Sequence, residues 1–224
     1  MQEKQKKSGD LFSQIWTIPN VLTFIRVLLI PVFAYLYSTA TVENKRMLWA
    51  VAVLFVSGLT DFLDGKIARR FNQVSPLGKI FDPVADKLTQ ITIAIMLFFR
   101  FLHAESSAMR AFSWVFLIFL LKELVMVVGG AVMLSKGIRP GAAEIFGKAA
   151  TFVFYAVMLV IIAFGPEIGA VTMYYPDFVL PESVVMILVV ISALLTVGAF
   201  ASYMPETYRQ FKEYWANNDK KNSK

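Results

Sequence analysis

The chain has 224 residues, no cysteine, one histidine and a formal net charge of +6, with 57% hydrophobic and only 17% charged residues. Ordinary soluble domains carry roughly a quarter charged residues, so this composition points to a lipid bilayer. The missing cysteines exclude disulfides, thiol nucleophiles and thiolate-bound metal centres, and His103, alone beside Glu105 in a short polar connection, excludes multi-histidine sites and histidine-based catalysis.

In chain order, residues 1–17 are polar and basic and end in Leu11-Phe-Ser-Gln-Ile15-Trp16, a mix expected to lie in the membrane interface with Trp16 as its anchor. No small-residue cleavage pattern follows a short apolar core, so no cleaved signal peptide is expected. Six apolar stretches then approach the ~20 residues a spanning helix requires: about Pro19–Ser38, Met47–Ile67, Asp82–Leu102, Phe112–Leu134, Ile145–Phe164 and Ser183–Tyr203. The first begins beside Thr17, and Thr17 and Thr23 are candidates for local helix capping. In the fourth, Lys122 and Glu123 are adjacent; neighbours in sequence do not share a helix face, so each is expected to meet a different neighbour. Gly129-Gly130 and Gly198 permit close helix packing, within one chain or between two. The tail from Arg209 is basic and is expected to be solvated or to face headgroups.

No linker, low-complexity tract or repeat divides the chain. The expected fold is an all-α integral membrane domain of six transmembrane helices over residues 18–204, preceded by a short interfacial helix in residues 1–17 and followed by a basic cytoplasmic tail, residues 205–224. Fifteen Lys and Arg residues fall on one side of this arrangement and four on the other. By the positive-inside rule both termini face the cytoplasm. The net charge serves orientation and anionic headgroups rather than nucleic acid.

Asp61-Phe-Leu-Asp64-Gly65-Lys-Ile-Ala68-Arg69 closes the second span, and Gly78-Lys-Ile-Phe-Asp82-Pro-Val-Ala-Asp86 opens the third. Asp61 and Asp64 are three apart and Asp82 and Asp86 four apart, so each pair shares a helix face. Two antiparallel helix ends would aim four carboxylates at one another on the cytoplasmic side. Carboxylates in a bilayer face an interior or an aqueous cavity and mark function. Four together call for a cation, and an all-oxygen set suits Mg²⁺ or Mn²⁺, with room for two ions. Such ions bridge protein carboxylates to substrate phosphates; Gly65 allows close approach, Ala68 keeps the face open, and Arg69 offers a planar fork for a diphosphate. Plainer alternatives are a helix-end pair of Asp61 and Asp64 with Lys66 and Arg70, and Asp82 as the third helix's cap before Pro83. The cap explains neither Asp86 nor the first pair.

These residues resemble the CDP-alcohol phosphotransferase family, whose signature D-x-x-D-G-x-x-A-R-x8-G-x-x-x-D-x-x-x-D is matched at Asp61, Asp64, Gly65, Ala68, Arg69, Gly78, Asp82 and Asp86. The resemblance covers roughly Ile18 to Tyr203 and implies transfer of a substituted phosphate from a CDP-linked alcohol to an acceptor hydroxyl, with release of CMP. It implies that Asp61, Asp64 and Asp82 hold metal, and that Asp86 takes the acceptor's proton while also touching a metal. Asp61, Gly65, Ala68, Arg69 and Gly78 would line the CDP moiety. A carboxylate between metals is a poor base, so Asp86 should be the least metal-bound. A second copy of the chain is an implied partner, in the cell's inner (cytoplasmic) membrane.

The first span, Ile18-Pro19-Asn20-Val-Leu22-Thr23-Phe-Ile-Arg26, resembles the phosphatidylglycerophosphate synthase and cardiolipin synthase branches. Arg26, two turns into a span, must snorkel or find an anion: either an acceptor phosphate, together with Arg139 and Lys148, or one of the four aspartates. The expected reaction joins CDP-diacylglycerol and glycerol 3-phosphate. Lys122-Glu123 in place of the branch's Arg-Glu, and Lys148-Ala-Ala-Thr151 in place of its Lys-Thr and glutamine, keep phosphatidylglycerol open as the acceptor. A transporter would place its site near the midplane in repeated halves, whereas these aspartates cluster at one edge.

Overall fold

The computed structural model describes residues 16–222 apart from 42, 72–74, 76–77, 139–144 and 168, so most of the expected interfacial segment lies outside the described residues. Helices account for all the regular structure among the described residues: α1 Ile18–Ser38, α2 Arg46–Arg70, α3 Gly78–Leu102, α4 Ser107–Phe112, a 3₁₀ turn Ser113–Val115, α5 Phe116–Ser135, α6 Ile145–Phe164 and α7 Glu182–Asn222. Internal packing divides the chain into two compact units, one up to Thr92 and one from Ile93. α3 gives its first part to one unit and its last to the other.

In the first unit α1 packs along α2. Its start is fixed by Thr17, whose side chain accepts the Asn20 N–H, and by Pro19 in the first turn, where a missing N–H does no harm. Asn44 Oδ1 accepts from the backbone N–H of Thr41 and Arg46, each at 3.0 Å, and so replaces a side-chain cap at the start of α2. Phe33, Tyr37, Met47, Ala50, Leu54 and Ala85 fill the interior. One face of α1 departs from this apolar pattern. Thr17, Asn20, Thr23 and Arg26 recur every three residues and all are buried, while Phe24, Leu28 and Tyr35 point outward. This inversion suits a helix whose solvent is lipid and whose polar groups must find partners inside.

The second unit is built on aromatic packing: Phe101 against Phe116, Phe116 against Phe119, and Phe119 against Phe154, with centroids 5.0–6.1 Å apart. α7 packs on both α5 and α6. A Cβ on Gly147 would lie 2.5 Å from the Tyr203 hydroxyl, which is why glycine stands where α6 meets α7. Ser106 caps α4, and Glu167 accepts from the Glu105 and Ser106 N–H groups. α7 continues through Pro205 to Asn222, so the basic tail is helical as far as Asn222; Lys136, at the end of α5, stacks 5.5 Å from the Tyr214 ring on this extension. Gly129, Gly130 and Gly198 have nothing within 4 Å where a Cβ would stand, so no close packing occurs there among the described residues.

Among the described residues, four stretches are long and apolar enough to cross a membrane: Ile18–Ser38, Ser107–Ser135, Phe146–Phe164 and Glu182–Ala216. α2 and α3, at 25 residues each, have the length, ~37 Å at the usual helical rise. They differ in composition, because they carry the aspartates and the basic residues around them.

Candidate active site

The site is assembled by three helices of the first unit. α2 presents Asp61 and Asp64 on one face, α3 presents Asp82 and Asp86, and α1 brings its buried polar stripe against both. Arg26 is the centre: 1% exposed, it meets three carboxylates at once. Its Nη1 lies 2.8 Å from Asp61 Oδ1 and 2.7 Å from Asp86 Oδ1, and its Nη2 donates to Asp64 Oδ2. Asp64 is the buried member of the set, its side chain 7% exposed, while Asp61 and Asp86 are open at 45% and 35%. One guanidinium thus faces three negative charges. Arg26 Nε is buried without an acceptor among the described residues, although a buried unsatisfied donor ordinarily costs about 1–3 kcal/mol.

The fourth aspartate is held separately. Thr23 Oγ1, one turn before Arg26 on the same face of α1, lies within hydrogen-bond distance of Asp82 Oδ1 and 3.0 Å from the Pro19 carbonyl. A hydroxyl has one proton to donate, so the two acceptors share it. Asp82 sits four residues beyond the start of α3 and does not cap that helix. A turn further back on α1, Asn20 Oδ1 accepts from Ser75 Oγ at 2.9 Å, and Ser75 Oγ accepts from the Gly78 N–H at 2.8 Å. That bond satisfies one of the orphan donors of the α3 N-terminus. A Cβ on Gly78 would fall 2.5 Å from Asn20 Oδ1 and 3.0 Å from Ser75 Oγ, so the glycine is required by the approach of α1 to the start of α3.

The donor chemistry fits a hard divalent cation. The oxygens of three carboxylates converge on one positively charged group, Arg26, which marks the point where a cation is most favoured. Among the described residues no cluster of three such side chains is spaced to grip an ion directly; Asp61, Asp64 and Asp86 meet the Arg26 guanidinium instead. Gly65, Ala68 and Arg69 lie on the last turns of α2. Lys148 is exposed on the first turn of α6, in the second unit, and Arg139 lies outside the described residues. Lys122 Nζ pairs with its neighbour Glu123, whose carboxylate is buried.

A model of the CDP-alcohol phosphatidyltransferase family matches residues 16–198. The chain belongs to this family. It is 34% identical over 154 residues to "Cardiolipin synthase (CMP-forming)" of Streptomyces coelicolor, with 68% of each chain covered. It is 36% identical over 143 residues to "Putative cardiolipin synthase" of Mycobacterium tuberculosis, covering 63% of this chain and 62% of that one, so the match spans under two thirds of that relative. To "CDP-diacylglycerol--glycerol-3-phosphate 3-phosphatidyltransferase" of Aquifex aeolicus it is 28% identical over 197 residues, 88% of this chain and 99% of the relative.

Within the family frame, the structure brings together Asp61, Asp64, Asp86 and Arg26, and ties Asp82 to Thr23. For Arg26, the sequence left open an acceptor phosphate or a single aspartate; the observed arrangement is ion pairing with three. Asn20 and Ser75 were not singled out, and Thr23 was read only as a capping residue. Their signal was the three-residue spacing of polar side chains on an otherwise apolar helix. Their partners lie 55 and 59 residues away, beyond what local spacing reveals.

Proposed function

We propose that the chain transfers the phosphatidyl group of CDP-diacylglycerol to glycerol 3-phosphate, giving phosphatidylglycerophosphate and CMP. The observation that carries this reading is the aspartate frame held by α1, with Asp61, Asp64 and Asp86 on Arg26 and Asp82 on Thr23. The near full-length likeness to the Aquifex aeolicus phosphatidyltransferase supports the acceptor. The likeness to the CMP-forming cardiolipin synthase of Streptomyces coelicolor, at higher identity, favours a second reading in which phosphatidylglycerol is the acceptor.

Asp61, Asp64, Asp82 and Asp86 would hold one or two Mg²⁺ or Mn²⁺ ions. Bound there, the metal neutralises the diphosphate and stabilises the CMP leaving group. Asp86, on the open side of the cluster, accepts the proton of the acceptor hydroxyl as its oxygen bonds to the lipid-linked phosphorus and the bond to CMP breaks. Asp61, Gly65, Ala68, Arg69 and Gly78 line the CDP moiety. Arg139 and Lys148 bind the acceptor's phosphate, joined by Arg26 when the carboxylates release it. Six spans with both termini in the cytoplasm place this chemistry at the inner face of the cell's inner membrane, with residues 1–17 along the interface and 205–224 forming the cytoplasmic tail. The open faces around Gly129, Gly130 and Gly198 leave room for a second copy of the chain in a homodimer.

CMP release by the purified protein with CDP-diacylglycerol and Mg²⁺ or Mn²⁺ tests the proposal. Turnover with glycerol 3-phosphate supports the first reading, and turnover only with phosphatidylglycerol supports the second. Absence of turnover with either acceptor would overturn both.

A further inference from the structure

We infer that Arg26 is an internal counter-cation of the carboxylate cluster: its guanidinium holds Asp61, Asp64 and Asp86 together without metal and competes with a divalent ion for them. The inference rests on the reading that these carboxylates bind metal. Three features of the chain support it.

First, Arg26 is fully enclosed, and its two Nη groups are spent on three carboxylates carried by two different helices. It is therefore the group that keeps α2 and α3 from separating under the mutual repulsion of their aspartates. Second, Arg26 brings a single positive charge to three carboxylates, so a cation of higher charge gains more from the same oxygens, at the same distances, than the guanidinium does. Third, Arg26 is not saturated where it sits, because Nε has no acceptor among the described residues. A purely structural ion pair in a buried site is expected to have its remaining donors satisfied. Asp61 and Asp86 are partly exposed, so an ion can reach the cluster without the fold opening. The buried Asp64 is the carboxylate whose exchange from Arg26 to metal is most demanding.

Competition of this kind is reciprocal: if metal loosens Arg26 from the carboxylates, Arg26 must weaken metal binding by the same factor. The test is Mn²⁺ binding to the full chain in detergent micelles, read from the loss of the free-ion electron paramagnetic resonance signal, with metal-free melting temperatures measured alongside. Arg26→Met should bind Mn²⁺ about tenfold more tightly than the parent, within the usual range of coupling. Its metal-free melting temperature should fall and be restored by Mn²⁺. Arg26→Lys keeps the charge but loses the fork, and should show a smaller gain in affinity. That variant decides the matter if Arg26→Met does not fold. Folded Arg26 variants that bind Mn²⁺ no more tightly than the parent would overturn the inference while leaving the metal reading intact. Lack of saturable Mn²⁺ binding by the parent and all variants would overturn the metal reading, and this inference with it.

Discussion

The two compact units bury different chemistry beneath similar lipid-facing exteriors. Up to Thr92 the buried polar side chains include Asn20, Arg26, Asp64 and Gln90 as well as hydroxyls; among the described residues from Ile93 onward they are Ser113, Ser192 and Thr196, with Glu123 the charged exception. The second unit is held by stacked aromatic rings, whose contacts are individually weak and collectively large. The first is held at its centre by one guanidinium and three carboxylates, where loss of a single partner strands the others. The difference agrees with the proposed placing of the chemistry in the first unit, since buried charge in a bilayer protein is expensive and is retained where it is used.

The strongest way to break the comparison is to remove a charge from the first unit. Asp61→Asn should lower CMP release by about 10²–10³-fold, the scale of losing a residue that fixes transition-state charge, while the folded fraction on size-exclusion chromatography stays near that of the parent. Intact turnover in that variant would sink the enzyme reading. Next in size is Phe116→Ala in the second unit. Phe116 is buried between Phe101 and Phe119, and truncation should cost about 3–5 kcal/mol of stability. The activity lost should track the folded fraction, with turnover per folded molecule unchanged. A specific loss of turnover instead would mean that the second unit also shapes the chemistry.

Gly78→Ala probes the joint between α1 and α3. The added methyl would meet Asn20 Oδ1 and Ser75 Oγ, and overpacking of this kind costs about 1–3 kcal/mol. Pairing it with Asn20→Ala should recover part of the loss, a coupling on the order of 0.5–3 kcal/mol for residues in contact. Strict additivity in a thermal-melting cycle would refute the packing account of this glycine.

The aspartate frame was legible in the sequence because its spacing is local: three and four residues along a helix fix a shared face whatever the rest of the chain does. The helices were legible for the same reason, since apolar runs of the right length announce themselves. What escaped was pairing across distance. Nothing in the order of residues says that Asn20 meets Ser75 or that Thr23 meets Asp82, although the spacing of Thr17, Asn20, Thr23 and Arg26 did mark a face that needed partners. The helical tail escaped for another reason. The tail was read from its basic residues alone, which carry no helical signal, yet α7 continues through Pro205, with Lys136 stacked on Tyr214 beyond it.

The smallest expected effect isolates burial from ion pairing itself. Arg209 on the α7 extension also meets carboxylates, Glu206 at 3.1 Å and Glu213 at 3.9 Å, but it is 67% exposed. Water already solvates both partners there, and holding two long side chains in register offsets most of the Coulomb gain. Arg209→Ala should therefore change stability by less than about 0.5 kcal/mol, and raising the salt concentration should shrink even that. Arg26 makes the same kind of contact from a site that is itself 1% exposed. If thermal melting gave Arg209→Ala and Arg26→Met similar losses without metal, burial would not be what sets the first unit apart, and the contrast between the two units would have to rest on position alone.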